Sequence, residues 1–324
     1  MDVSVVICAH NEARWSQLQA ALASLEHQRH QPAETVVVID HNPRLFERAR
    51  QELAAVHVVE NSRRPGLGGA RNSGISASSA PVVAFLDDDA VASPGWLSLL
   101  VEPYSDPDVA GVGGRAEPLW EGERPPWFPS EFDWVVGCSY RGMPDTAQSV
   151  RNLMGCNMSY RRDVLSALGG FRLGYGCDET ELCIRLRQRW PHRAVVFVPD
   201  GKVLHRVPAD RARFRYFLYR CYFEGVSKAV VSKLVGAEAG LASERRYTRE
   251  TLPEGVRRGI GEFLARGDSD GLGRAAAILA GLATTSVGYL VGHASASHAA
   301  RSRGFGDGDL ATASGEAQSA AAIP

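Results

Sequence analysis

The sequence predicts an α/β fold: a mixed, mostly parallel sheet flanked by helices, with a helical C-terminal extension. Three observations carry this expectation. Wholly apolar runs alternate with helix-patterned stretches in the N-terminal part of the 324-residue chain, polar clusters follow those runs directly, and the stretch beyond Pro208 turns to long helical patterns. Val3 to Cys8, Thr35 to Ile39, Val56 to Val59 and Val82 to Leu86 read as strands. Between the first two, Leu18, Ala21, Leu22 and Leu25 repeat at the spacing of a core-facing helical stripe. This is βαβ logic, so the first half is expected to form a Rossmann-like nucleotide-binding unit. Further along, Asn152 to Tyr160 reads as a strand and Arg161 to Leu168 as a helix ended by Gly169-Gly170. Asp178 to Trp190 begins another helix, and Ala194 to Val198 and Val203 to His205 are extended.

The expected organisation is one domain over 1–208, with halves 1–115 and 116–208, then a helical extension over 209–300 and a disordered tail over 301–324 rich in Gly, Ala, Ser and Asp. Glu117 to Tyr140, dense in Pro and aromatics, reads as an irregular loop walling a substrate site. With 36 Lys+Arg against 37 Asp+Glu there is no basic field to collect phosphates, which excludes a dedicated nucleic-acid binder. The six cysteines form no CxxC pair and read as reduced thiols. The opening residues lack the basic start and apolar core of a secretory signal, so a cytoplasmic location is expected. Ala275 to Gly292 is uncharged but rich in small residues, which favours a buried or interfacial helix over a membrane span.

In sheets of this kind ligands collect at the carboxyl ends of the strands. The residues there are Ala9-His10-Asn11-Glu12, Asp40-His41-Asn42 and Asp87-Asp88-Asp89. On an extended chain Asp87 and Asp89 face one way and Asp88 the other. Three stacked carboxylates repel unless a divalent cation joins them, although an acidic turn before a helix has the same composition. Gly66 to Gly74 opens a small-residue helix whose glycines let backbone approach a ligand, while Arg71 offers forked donors to a phosphate. It lacks the third glycine of a dinucleotide fingerprint. Glu179 shares a helical stripe with Leu182, Cys183, Leu186 and Trp190, as an inward-facing general base would; an acidic first turn is also an ordinary dipole partner. His205 is a candidate metal ligand or a structural histidine.

In chain order these residues resemble the family 2 glycosyltransferases of GT-A fold. Cys8 to Glu12 looks like the nucleotide-binding start, Asp40 like the base-contacting aspartate, and Gly68 to Gly74, with Gly69, Arg71 and Asn72, like the G-x-A-R-N-x-G stretch. Phe85 to Asp89 resembles the DxD motif, Gly155 to Arg162 the acceptor-side segment, and Gly169-Gly170-Phe171 with Asp178 to Leu182 the GGF…ED-x-[DE]-L block. Two departures stand out: Asp40-His41 replaces an aspartate pair, and Asp178-Glu179 replaces Glu-Asp. The Q-x-x-R-W signature of processive synthases is absent, which argues for transfer of a single sugar.

The resemblance implies an inverting enzyme using a UDP-sugar, with Glu179, or Asp178, as base. It further implies Mg²⁺ or Mn²⁺ on Asp89 with Asp87 and His205, donor contacts from Ala9 to Glu12, Asp40, Gly69, Arg71, Asn72, Asp87 and Asp88, and acceptor contacts from Asn157, Met158 and Trp134. Members extending polyprenyl-phosphate-linked sugars, including glucuronosyl transferases acting on a glucosyl lipid, are similar; a soluble natural-product acceptor is the alternative. Arg211, Arg213, Arg215 and Arg220, interleaved with aromatics up to Phe223, suit a peripheral membrane helix or a dimer- or domain-packing helix equally. Two readings of other classes are a nucleotidyltransferase, against which Cys8 to Trp15 lacks a Gly-rich loop, and an inactive nucleotide-sugar binder, against which both acidic motifs are retained.

Overall fold

The computed structural model describes residues 1–172, 178–235 and 246–302. Cys177 and the tail beyond residue 302 lie outside the described residues. The described chain forms two compact units. The first comprises essentially 1–119, 144–172 and 178–206, and the second 120–143 with the chain from 207 onward.

In the first unit the apolar runs become β1 (Val3–Ala9), β2 (Glu34–Ile39), β3 (His57–Glu60) and β4 (Val82–Asp87), in the order β3-β2-β1-β4 and all parallel. Beyond β4 the sheet continues through β8 (Asn157–Arg161), β6 (Val109–Trp120), β9 (Ala194–Val207) and β5 (Ala90–Ala92), with β7 (Gln148–Ser149) also on β9. The β4–β8, β6–β8 and β5–β9 ladders are antiparallel, so the sheet is mixed as expected. β1 and β4 are buried on both faces, as is the C-terminal part of β2, which is why those sequences run apolar without alternation; β3, at the edge, is exposed at His57 and Glu60.

Helices cover both faces. The predicted stripe lies on α1 (Trp15–Glu26), where Leu18, Ala21, Leu22 and Leu25 are buried. It joins α2 (Pro43–Glu52), capped by Asn42 Oδ1 on Leu45 N at 3.0 Å, and α3 (Leu67–Ala77). Gly74 explains how α3 reaches the sheet: a Cβ there would lie 2.4 Å from a Val6 methyl. Then come α4 (Trp96–Val101), α5 (Arg162–Ala167) and α6 (Asp178–Arg189).

Three sequence expectations need correction here. The strand expected from Asn152 begins at Asn157, because Met154 to Asn157 close a tight turn with Asn157 N donating to Met154 O at 3.0 Å. The two extended pieces around residue 200 are one strand, β9, carried through Asp200-Gly201 by sheet pairing. β6 was not anticipated, since Gly111, Gly113 and Gly114 erase the apolar pattern of a strand.

The second unit has its own core. Phe128, Phe132, Val135, Val136 and Cys138 pack with Phe217 and Cys221 of α7 (Phe214–Val235), Leu252 of α8 (Leu252–Arg266), and Ala277 and Ile278 of α9 (Ser269–Ser302). The aromatics of the Pro-rich stretch thus stack among themselves and on α7, Phe128 and Phe132 lying 5.4 and 5.2 Å from Phe217. That packing places 120–143 in one compact unit with the C-terminal helices. None of the described cysteines forms a disulfide.

Candidate active site

Parallel register brings the first three polar clusters to one edge of the sheet. Cys8 pairs with Asp87 and Ala9 with Ile39, so the chain segments leaving β1, β2 and β4 emerge side by side. Ala9 is buried, and His10, Asn11 and Glu12 are exposed beyond it, with Asn11 Oδ1 capping Ala13 N at 2.9 Å. Asp40 accepts from Asn61 Nδ2 at 2.6 Å, His41 Nδ1 at 2.9 Å and the Gly66 amide at 2.8 Å. Burial works against its charge, but these bonds outweigh it and hold the carboxyl below its ordinary range.

Asp87 ends β4, and a turn at Asp88-Asp89 follows before β5. The turn overrides the extended alternation expected of the three aspartates. Arg14, just past the segment leaving β1, bridges Asp88 Oδ1 at 3.2 Å and Asp89 Oδ2 at 3.0 Å through one terminal nitrogen. Burial, reinforced by Asp89 and opposed by Arg14, pushes the Asp88 carboxyl up to about 7. Its Oδ2 is buried and has no hydrogen-bond partner among the described residues, leaving an unsatisfied acceptor within the cluster.

His205 arrives from the opposite side of the sheet order. Antiparallel pairing of Ala90 with His205, sealed by Arg206 N donating to Asp89 O at 2.9 Å, sets the His205 Nε2 3.2 Å from Asp89 Oδ1. One donor atom each from Asp87, Cys156 and His205 lie within 4.8 Å of one another. A carboxylate, an imidazole and a thiol at that separation, with Asp89 adjoining, fit a divalent cation.

Arg71, fully inside α3, faces the same cluster. Its Nη2 donates to Gly155 O at 2.9 Å and lies 3.7 Å from Asp87 Oδ1, while its guanidinium sits 5.4 Å from the Phe171 ring centroid. Burial opposes its charge, but Asp87 and Glu179 more than offset this, so it stays protonated. Gly155 is where these groups crowd: a Cβ there would lie 3.0 Å from Arg71 Nη2 and 3.5 Å from Glu179 Oε2. Glu179 therefore joins the site from the first turn of α6, with Asp178 beside it. The fully buried carboxylate of that helix is Glu181, held by Arg185 at 2.6 Å and Arg172 at 3.3 Å, an internal tie between α6 and the preceding loop.

Other candidates are tied into the scaffold. Asn72 clasps the Phe171 backbone, donating to its carbonyl at 2.7 Å and accepting from its amide at 2.8 Å. Gly69 is buried in the first turn of α3 against the Arg64 carbonyl. Asn157, expected to meet an acceptor, is fully buried: its Oδ1 accepts from Trp96 Nε1 at 2.7 Å, and its Nδ2 donates to Arg115 O and Gly201 O. Met158, expected beside it, points from the adjacent strand position into the core with Phe85 and Leu153. Neither side chain reaches solvent in this structure. Trp134 belongs to the second unit, where its Nε1 donates to Tyr247 OH at 3.1 Å. Sequence reasoning missed Arg14 and Cys156. The only signal for the first was an arginine one turn past the polar cluster after β1, and Cys156 was hidden among thiols read simply as reduced.

The family model "Glycosyl transferase family 2" matches residues 4–169. The glucosyl-dolichyl phosphate glucuronosyltransferase of Haloferax volcanii is 33% identical over 246 residues, 72% of this chain and 78% of that protein. The pre-mycofactocin glycosyltransferase of Mycobacterium tuberculosis is 29% identical over 237 residues, covering 70% of this chain and 47% of its own. Among solved structures, the mannosyltransferase PcManGT from Pyrobaculum calidifontis, in complex with GDP-Man and Mn²⁺, superposes with TM-score 0.54 at 18% identity. It covers 87% of this chain and 86% of its own, and shares the GT-A fold. With the site assembled on that fold and the family model spanning half of the chain, this protein belongs to glycosyl transferase family 2.

Proposed function

We propose that this glycosyltransferase moves a single sugar, with inversion, from a UDP-sugar of the glucuronic acid or glucose type to a lipid-phosphate-linked sugar. One observation carries the reading: the Asp87, Asp89 and His205 cluster and the Glu179 carboxylate meet the same Arg71-Gly155 corner from two sides. The acceptor class is supported by the likeness to the glucosyl-dolichyl phosphate enzyme.

In this mechanism the exposed His10 and Asn11, with Asp40, line the nucleotide edge. Arg71, buried and held charged, offers its donors toward the diphosphate and orients the turn at Gly155. Glu179 accepts the proton of the acceptor hydroxyl as it attacks the anomeric carbon from the face opposite the leaving group. A divalent cation, Mg²⁺ or Mn²⁺, would be held by Asp87, Asp89 and His205 and would neutralise charge on the leaving diphosphate. Arg14 keeps Asp88 and Asp89 from repelling each other.

Peripheral contact with the cytoplasmic face of a membrane accompanies this reading. Its support is an α9 long and apolar enough over Ser269–Ala294 to cross a bilayer, together with exposed Arg213, Phe214, Arg215 and Tyr219 at the start of α7. The test is a donor screen following UDP or GDP release with Mn²⁺, with and without a lipid-phosphate sugar. UDP release that rises with the lipid acceptor and vanishes in Asp89→Ala is expected. Turnover only with a soluble acceptor, or unchanged in Asp89→Ala, would overturn it.

A further inference from the structure

The cation site of this family 2 enzyme contains a donor that carboxylate motifs do not announce. Cys156 Sγ lies within 4.8 Å of the ligand atoms of Asp87 and His205, and the residue is 4% exposed. The three groups come from three places in the sheet: the end of β4, the turn before β8, and β9.

We propose that Cys156 supplies a thiolate ligand to the divalent-cation site of Asp87, Asp89 and His205, biasing that site toward Co²⁺ and Zn²⁺ and away from Mg²⁺. The inference rests on the cation reading of the site and goes beyond it by naming a ligand and a selectivity.

Three physical points support it. The thiol is held rather than loose, because the turn carrying it is pinned at both sides. Gly155 O takes the Arg71 guanidinium at 2.9 Å, and the Asn157 side chain is fastened by three hydrogen bonds. The donor set is mixed: one or two carboxylates, an imidazole and a sulfur. Mg²⁺ is a hard ion that demands oxygen ligands and sheds water reluctantly, whereas sulfur and imidazole favour the later first-row metals. Coordination also deprotonates the thiol, its proton passing to bulk water, so the sulfur binds as thiolate. The competing explanation is that Cys156 is a small apolar filler, since it also packs on the core beside β1 and β4. The two explanations differ in what a metal does to the sulfur.

The test uses the full chain stripped of metal and titrated with Co²⁺, alone and with UDP. A thiolate-to-Co²⁺ charge-transfer band in the near ultraviolet is expected. Cys156→Ser should lose the band, and Cys8→Ser, altering the neighbouring thiol on β1, should keep it. Calorimetry should show Co²⁺ binding at least about tenfold tighter than Mg²⁺ in the wild type, with the gap narrowing in Cys156→Ser. Co²⁺ that binds in an Asp89-dependent manner with no band, or a band retained in Cys156→Ser, overturns the thiolate while leaving the cation site intact. Absence of Co²⁺ binding with and without UDP, or binding unaffected by Asp89→Ala, overturns the site itself. The wild-type spectrum decides the question even where the Cys156→Ser variant does not fold.

Discussion

Replacing Asn157 by Ala tests whether this residue serves the scaffold or the acceptor. In the wild type its amide joins three elements, taking the buried Trp96 indole N–H at 2.7 Å and donating to Arg115 O at 3.0 Å and Gly201 O at 2.9 Å. The truncation orphans one fully buried donor, at about 1–3 kcal/mol, and removes two amide–carbonyl bonds at about 0.5–1.5 kcal/mol each. The expected loss is about 4 kcal/mol, or roughly 8–16 °C in melting temperature for a domain of this size. Asn157→Asp keeps an acceptor for the indole but turns a carboxylate toward two carbonyl oxygens, so it should cost at least as much. Thermal unfolding of both variants, with acceptor KM measured well below the transition, reads the two roles separately. An unchanged melting temperature with acceptor KM raised tenfold would refute the scaffold assignment and restore Asn157 to the acceptor site.

Glu179→Gln should retain donor binding by calorimetry yet lose transfer by about 10² to 10⁴-fold, the usual worth of a general base; retained turnover there with loss in Asp178→Asn would move the role by one residue. Burial, opposed by Arg124 at 2.6 Å, raises the Asp133 carboxyl from 3.8 to about 6, so its contribution to stability is full below 3.8 and is lost as pH rises toward 6. Unfolding midpoints of Asp133→Asn should therefore gain on the wild type across that window, and parallel pH curves would contradict the burial argument. Arg213 and Arg215 are exposed, whereas the Nε of Arg220 is buried, so the membrane test uses the first two. Arg213→Gln with Arg215→Gln should weaken anionic-vesicle binding by about 1 kcal/mol per charge and blunt its salt dependence. Wild type that does not sediment with vesicles at low salt would leave the helix face to a second copy of the chain.

By itself the sequence determined the parallel half of the fold and the identity of the family. The apolar runs of β1 to β4 and the α1 stripe are local patterns, and each was legible because strands buried on two faces and helices buried on one leave different periods in the chain. The glycosyltransferase motifs were legible because they are contiguous. Only the tertiary structure decided which motif residues gather around Asp87 and which are bonded into the scaffold. Asn72 and Asn157 sit in motif blocks beside Arg71 and Gly155, yet their amides are spent on Phe171 and Trp96. The turn at Asp88-Asp89 and the arginine that bridges it depend on a partner 74 residues away. Likewise Cys156 and His205 reach Asp87 only because β4 pairs with β8 and β5 with β9. Sheet register across non-adjacent strands is a long-range property, set by the packing of the whole unit, and no local pattern of residues encodes it.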